Sequence, residues 1–445
     1  MASHPYNVKV TRWVKLMDFN PGSFKQKLAL FKAFGHKAKV DRKTKSASSG
    51  EETLKSLIAA HCDSKKESDQ KAVECYRAIR ETQALTKVLG TYVKGWRPGA
   101  DGRIHATPGI WGDMFRISWR KPNLAATVSD KKEIQIASGF RKCIRCADDE
   151  IIIESDWKGM EALIVGELAG DEVYKRLARL GVHDYMGLHM IRQPIGLEST
   201  DDELKAKFKW FKATYPKLRD DAKHTVHGKN YGMTEFLMAE LYEMSRKRAK
   251  ELLDLYDRLF PKIKAWQQAT ILKAHTDTRL VNPWGYRMPF WDVYRWNQKR
   301  FNKLREMWVK YLTQGLPSRK DDLKWIERIV AEGGGQPAIE RLSYGLGEEA
   351  KSAISFLPRD IGAAMLKDAL LRLESDYQLV SRGIIRCCIH DSILAICKRS
   401  EAPEVAQQVK DAMSAPVAQL NGLVIEVEQS AGMTWDKSAM EEWKC

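Results

Sequence analysis

No apolar run in this 445-residue chain approaches the length of about 18 residues that a membrane-spanning helix needs. The N-terminal stretch MASHPYNVKVTRWVK lacks the apolar core of a secretory signal. Cysteine is sparse and scattered, at Cys62, Cys75, Cys143, Cys146, Cys387, Cys388, Cys397 and Cys445. The lone C-x-x-C, Cys143 to Cys146, has no second pair at zinc-ribbon spacing, so all eight read as reduced thiols of a cytosolic protein. Internal repeats and low-complexity tracts are absent too. Acidic residues run short: 58 against 74 Lys and Arg, a net charge of +16. Such an excess attracts a polyanion, of which nucleic acid is the commonest. A ribosomal factor or a membrane-surface protein would carry it as well, so charge fixes a class and no more. The 44% hydrophobic and 30% charged content is that of an ordinary soluble chain, long enough for a large core divided into two or three lobes.

Residues 1–49 hold eleven Lys and Arg against two Asp, and the run DRKTKSASSG at 41–50 reads as a flexible basic loop. Helical patterns follow in EETLKSLIAAHC and QKAVECYRAIRETQALTKVLGTYVKGW, and EIIIESD is the next clear strand. From about 157 to 275 the spacing is helical, and TRLVNPWGYRMPF then reads as a turn-rich β ribbon. A long helix is expected over EEAKSAISFLPRDIGAAMLKDALLRLESD. GIIRCCIHDSILAICK and GLVIEVEQSAG read as strands around the helix EAPEVAQQVKDAMSAPVAQL. The layout is α+β, with early and late strands sharing one sheet.

The chemistry starts where EIIIESDWKGMEALIVGEL ends an apolar strand on Asp156 and places Glu161 at the start of a helix. Aspartate is a poor strand former; at a strand end it caps a helix or binds a cation. A second aspartate stands in RCCIHDSILAIC, where His390, Asp391 and Ser392 form a tight turn between apolar strands. Two strand-end aspartates brought together in one sheet suit a pair of Mg²⁺ ions about 3.5–4 Å apart, the arrangement that clamps a phosphoryl transfer. Two unrelated turn aspartates would give the same pattern. A third motif favours the metal pair. In LRDDAKHTVHGKNYGMT, Arg219, Lys223, His227 and Tyr231 recur every four residues. Each step turns a helix by about 400°, so the four form one slowly drifting stripe. Two cations, an imidazole and a phenol on one face suit a nucleoside triphosphate, and an ordinary solvated basic face is the plainer account.

These motifs together resemble the polymerase module of the family A DNA polymerases, the bacterial DNA polymerase I type. The resemblance is collinear from about Phe19 to Asp436. DWKGMEALIVGELAGDE is similar to the family's first catalytic motif, R-x3-K-x7-YG to the fingers helix, and IHDSI to the second catalytic motif. FNPGSFKQK, YRAIRETQALTKVLGTYV, GRIHATP, FRISWRKPNL, RLFPKIKAW, NPWGYRMPF and GMTWD are weaker echoes in the same order. The resemblance implies a right-hand polymerase fold with an antiparallel palm sheet, helical fingers and a reduced helical thumb. It divides the chain into a thumb-like region 1–97, a palm 98–190 and 358–445, and fingers 191–357.

By the same resemblance Asp156 and Asp391 hold two Mg²⁺ ions, with Mn²⁺ able to substitute, and the Trp157 carbonyl completes the metal shell. Arg219 and Lys223 bind the triphosphate of an incoming dNTP, with Lys223 also protonating the leaving pyrophosphate. Glu161 and Tyr231 exclude the ribose 2′-hydroxyl, and His227 faces the sugar. Arg116, Asn123, His390 and Arg359 touch primer-template DNA. The sequence departs from the family's pattern in three places. Ser392 stands where Glu is usual, His227 where Phe or Tyr is usual, and Arg359 where Gln is expected.

His-Asp-Ser is also the triplet of single-subunit phage RNA polymerases, and Glu161 is what favours DNA synthesis over that alternative. The expectation is a primer-extending polymerase without proofreading exonuclease, acting in the cytoplasm of a bacterium or phage-infected cell, with no membrane partner. Any helicase, primase or processivity partner is unknown. Residues 294–333, with ten Lys and Arg, five acids and six aromatics, look like an insertion. They would form either a single-strand-binding surface or a packed helical hairpin.

Overall fold

The computed structural model describes residues 19–40, 46–109, 115–124, 139–317, 319–436 and 438–443; Cys445 and the first half of the 41–50 basic run lie outside these. The chain divides into two units, one of 1–107, 121–144 and 235–251, the other of 108–120, 145–234 and 252–445. The described residues 121–124, 139–144 and 235–251 fall in the first unit by this division.

The first unit is helical. Helix α1 (Phe24–Ala33) begins at Ser23, whose hydroxyl accepts from the Gln26 N–H. Helices α2 (Glu51–His61) and α3 (Glu67–Val88) follow the expected apolar spacing. Leu54, Leu57 and Ile58 of α2 and Val73, Tyr76 and Ile79 of α3 close around Phe31 of α1. The short helix Glu235–Leu241 and the turn after it join by charge: Glu240 takes Lys39 at 2.7 Å, and Glu243 takes Arg77 and Arg80.

The second unit is built on five antiparallel strands: β1 (Glu150–Trp157), β2 (Ile385–Ile389), β3 (Ser392–Lys398), β4 (Val427–Gly432) and β5 (Glu441–Glu442), in the order β5-β4-β1-β3-β2. The run EIIIESDW earns the central place because its isoleucines are covered on both faces. β4 is shorter than GLVIEVEQSAG suggested, and starts only at Val427. Helices α4 (Met160–Leu168), α5 (Val182–Met190) and α6 (Pro216–Asn230) follow β1. In the 294–333 region and just beyond, α7 (Gln298–Gln314), α8 (Lys320–Ala331) and α9 (Gly335–Ser343) surround their own core of Phe301, Leu304, Ile326, Ile329, Ala338 and Ile339. The long helix α10 (Glu348–Ser375) carries Pro358 inside it, and α11 (Ala402–Ser414) lies between β3 and β4. One face of the sheet packs on α4, α10 and α11 through Ile153, Trp157, Leu163, Ile361, Met365, Ile393, Val405 and Val409. Trp157 is pinned there by its indole N–H, which donates to the Met413 carbonyl at 2.9 Å. No helix among the described residues is long and apolar enough to cross a membrane.

The end of α6 is fixed from three sides. Gly232 at φ 70° accepts the left-handed position that stops the helix, with Met233 N–H returning to the Gly228 carbonyl and Gly232 N–H to Lys229. The Gln267 amide caps the Lys229 carbonyl at 2.6 Å. Below, the Asn230 side-chain oxygen accepts from the hydroxyls of both Tyr174 (2.8 Å) and Tyr256 (2.5 Å), all three being buried. Asn230→Ala strands both hydroxyls, each at about 1–3 kcal/mol. The expected loss is about 2–4 kcal/mol, read as a lower denaturant midpoint; an unchanged midpoint refutes this account of how α6 is anchored.

Candidate active site

Strand pairing brings the two distant aspartates together. Asp156, next to last in β1, lies opposite Ser392 of β3 on one side and Glu428 of β4 on the other. Asp391 occupies the two-residue turn between β2 and β3, whose flanking residues Ile389 and Ser392 pair. It therefore stands one residue from the position facing Asp156. The turn needs a positive φ at its first residue, and His390 supplies it at 58°, exposed to solvent. Ser392 steadies the turn by donating its hydroxyl to the Ile389 carbonyl at 3.0 Å. Trp119 braces the strand before it, its indole N–H on the Cys388 carbonyl at 2.7 Å.

The electrostatics follow from that placement. Burial pushes the Asp391 carboxyl up to about 7, and the nearby charges of Asp156 and Glu161 add to the shift while Arg116 opposes it. Glu161 lies in the first turn of α4, which Gly159 starts in the left-handed region at φ 65°. A Cβ at Gly159 would come within 3.3 Å of the Ala178 carbonyl oxygen. Arg116 pairs with Glu161 at 3.3 Å. The Tyr231 hydroxyl is held far above its ordinary ionisation by burial and by Glu161. The Arg359 guanidinium lies over the Tyr231 ring, 4.7 Å from its centroid.

Beyond Tyr231 the array turns basic. Tyr231 itself caps α6 and does not continue it, so the stripe is three helical residues and a cap. His227 is depressed by burial, with Glu161 pulling the other way and Lys223 adding to the depression. Its ring lies 4.9 Å from that of His183 on α5. Burial drives His183 down to about 3, helped by His227, Arg219 and Lys223. Arg219 donates to Asp184 at 2.7 Å; burial raises Asp184 while the guanidinium pulls it back. Lys223 is exposed between the two.

Asp156, Asp391, Glu161, Arg116, Tyr231, Arg359, His227, Lys223 and Arg219 thus form one chain of mutually acting groups in the second unit. The Trp157 side chain points into the core beside it, as described above. Asn123 belongs to the first unit, where it is exposed. Sequence reasoning passed over His183 and Asp184; the signal available was a His-Asp pair in an otherwise apolar helix. In the 294–333 region the aromatics are largely used for packing. Phe301 is core, and Trp308, Tyr311 and Trp325 lie half-buried against it.

Known proteins resemble this chain in sequence and fold. The family model of DNA polymerase family A matches residues 6–318. DNA polymerase I of Lactococcus lactis subsp. lactis is 26% identical over 203 residues, 44% of this chain and 21% of that protein. DNA polymerase I of Caldicellulosiruptor bescii is 23% identical over 408 residues, 90% of this chain and 39% of that protein. The chain therefore spans only a fifth to two-fifths of these two relatives. The polymerase domain of Pol1 from M. smegmatis, solved with DNA primer-template and dNTP, superposes with a TM-score of 0.60 at 18% identity, over 94% of this chain and 61% of that one. With a family match across most of its length and the same α+β fold, the chain belongs to DNA polymerase family A.

Proposed function

We propose that this protein is a template-directed DNA polymerase, extending a primer 3′-hydroxyl with dNTPs by a two-metal-ion mechanism in the cytoplasm. The observation that carries the reading is the register that sets Asp156 opposite Ser392 and hence beside Asp391. The donor set fits divalent cations: a buried carboxyl whose proton affinity is raised by burial and by the charge of Asp156 is relieved by positive charge. Asp156, Asp391 and the Trp157 carbonyl would hold the ions. Bound Mg²⁺ would supply positive charge to the attacking hydroxyl and the departing pyrophosphate.

The chain's own groups do the rest. Arg219 and Lys223 hold the triphosphate, Arg219 braced by Asp184 so that its guanidinium is already oriented. Lys223, exposed on α6, gives its proton to the leaving pyrophosphate. Glu161 and Tyr231 close on the 2′ side of the sugar, and His227 packs at the 3′ side. His390 and Arg116 hold the primer end, Asn123 contacts the duplex, and Arg359 meets the template. In this reading 98–190 and 358–445 act as palm, 191–357 as fingers and 1–97 as thumb.

Three outcomes test it. Asp156→Ala and Asp391→Ala each remove several kcal/mol of charge stabilisation. Primer extension should fall by about 10³-fold, with primer-template affinity nearly intact because it rests on Lys and Arg contacts to phosphate. Wild-type extension by either variant refutes the assignment.

Glu161→Ala removes a clash worth about 1–3 kcal/mol. Ribonucleotide relative to deoxyribonucleotide insertion should rise about tenfold to hundredfold in single turnover. A wild type that prefers ribonucleotides, with a variant no different, would make this an RNA polymerase.

The third outcome is a pH dependence. Asp391 rises from 3.8 to about 7 on folding, so the folded chain keeps a proton that the unfolded chain releases. Stability from this group is complete below the unfolded value and lost as pH climbs through 7. Divalent ions bind the ionised form, so Mg²⁺ should raise the melting temperature more at pH 8 than at pH 6. Asp391→Asn should abolish that difference; a Mg²⁺ effect independent of pH in wild type counts against the paired site.

A further inference from the structure

Both flanks of Glu161 lead back to helix α10. On one side Tyr231 lies under the Arg359 guanidinium, as described above. On the other, Arg116 pairs with Glu161 at 3.3 Å, and its neighbour Phe115 sits in the left-handed region at φ 60°. A bulky side chain is uncommon there and persists only where its surroundings hold it.

Phe115 is held twice. Its ring stacks on that of Tyr286, with centroids 4.9 Å apart and planes at 29°. The Lys367 ammonium of α10 lies 3.1 Å from its centroid.

Both supports trace to one buried carboxylate. Asp360 lies about two turns before Lys367 on α10. It is fully buried, and one of its oxygens accepts from the side-chain amide of Asn282. Asn282, buried as well, accepts with its own amide oxygen from the backbone N–H groups of Trp284 and Tyr286, each at 2.9 Å. Those bonds close the turn between the strands Arg279–Val281 and Arg287–Pro289, and fix the backbone that carries the Tyr286 ring. Asp368 of α10 ties down the same turn by accepting the Trp284 indole N–H at 2.8 Å. Asp360 acts on Lys367 too. Burial pushes the Asp360 carboxyl up to about 6 while Asn282 and the Lys367 charge pull it back, and burial lowers Lys367 while Asp360 opposes.

Packing alone would not need this carboxylate. Its second oxygen is buried with no hydrogen-bond partner among the described residues, which costs stability that an apolar side chain would spare. What an apolar side chain would not do is orient the Asn282 turn.

We propose that Asp360 and Lys367 are positioning residues of the sugar gate: through Asn282, Tyr286 and Phe115 they fix Arg116, and Arg116 fixes Glu161 on the 2′ side of the incoming nucleotide. The inference rests on the reading of Glu161 as the group that excludes a ribose 2′-hydroxyl. It adds that the selectivity of that gate is set from α10, one layer behind the nucleotide.

The test is single-turnover insertion of ribonucleotide against deoxyribonucleotide on one primer-template with Mg²⁺. Lys367→Met keeps an aliphatic stem and removes the charge over Phe115. The ribonucleotide-to-deoxyribonucleotide ratio should rise about three- to tenfold. Lys367→Arg, which returns a cation to the ring, should restore the wild-type ratio. Asp360→Ala should raise the ratio about as much, and Asp360→Asn, which keeps an oxygen for the Asn282 amide, should recover most of the loss. Coupling separates positioning from a general loss of stability. In an Arg116→Ala background, Lys367→Met should change the ratio less than about twofold, because its route to Glu161 is gone. An unchanged ratio in Lys367→Met, or an equal rise with and without Arg116, overturns the inference while Glu161→Ala still raises the ratio. If Glu161→Ala itself leaves the ratio unchanged, the gate reading falls and this inference falls with it. Should Asp360→Ala fail to fold, Lys367→Met and its Arg116→Ala pair decide alone.

Discussion

Repulsion between two carboxylates, forced together by strand register, is the constraint from which the second unit follows. Nothing in Asp156 or Asp391 favours the other's company, since burial and mutual charge drive Asp391 to bind a proton. What holds them is hydrophobic. The isoleucines of β1 and the apolar residues of β2 and β3 are packed against α4, α10 and α11, and sliding a strand by one residue would exchange the side chains of its two packed faces. The core thus maintains an arrangement that its own charges oppose, as expected where strain serves a site.

The surrounding charges answer that constraint in order. Arg116 counters the acidic group through Glu161; Arg359 lies on Tyr231; Lys223 and Arg219 continue along α6. The gradient runs from carboxylates on the strands and α4 to cations on α6. Its precision depends on α6 keeping its position. The helix stop at Gly232, the amide of Gln267 and the two tyrosines on Asn230 all act on its last turn, next to Tyr231 and His227. Rigidity is concentrated where the sugar-facing groups sit in the proposed reading.

How much of this the sequence disclosed depended on the range of the interaction. Asp391 was legible because a hairpin is local: two apolar runs with a two-residue turn between them leave one arrangement. The stripe of Arg219, Lys223 and His227 was legible from helical period alone, and Tyr231 fell outside the helix because Gly232 stops it one residue early. His183 and Asp184 were missed because their partners, His227 and Arg219, come from another helix, and no local pattern encodes that pairing. The aromatics near 294–333 left two readings open for the same reason. Composition could not tell a stacking platform from a core, and Phe301, Trp308, Tyr311 and Trp325 pack together. The membership of 235–251 in the first unit was equally hidden, since it rests on contacts such as Lys39 with Glu240.

Ser392 acts directly on the carboxylate pair. It occupies the β3 position directly opposite Asp156 and is 6% exposed, with its hydroxyl spent on the Ile389 carbonyl. The family resemblance sets a glutamate there. A third carboxylate beside Asp156 and Asp391 would raise the proton affinity of all three, because like charges in a buried space add. Serine removes that charge and returns a hydrogen bond that closes the turn presenting Asp391. The substitution therefore relieves the constraint on which the site is built while keeping its geometry. Glu161, already held by Arg116, becomes the next negative charge acting on the pair.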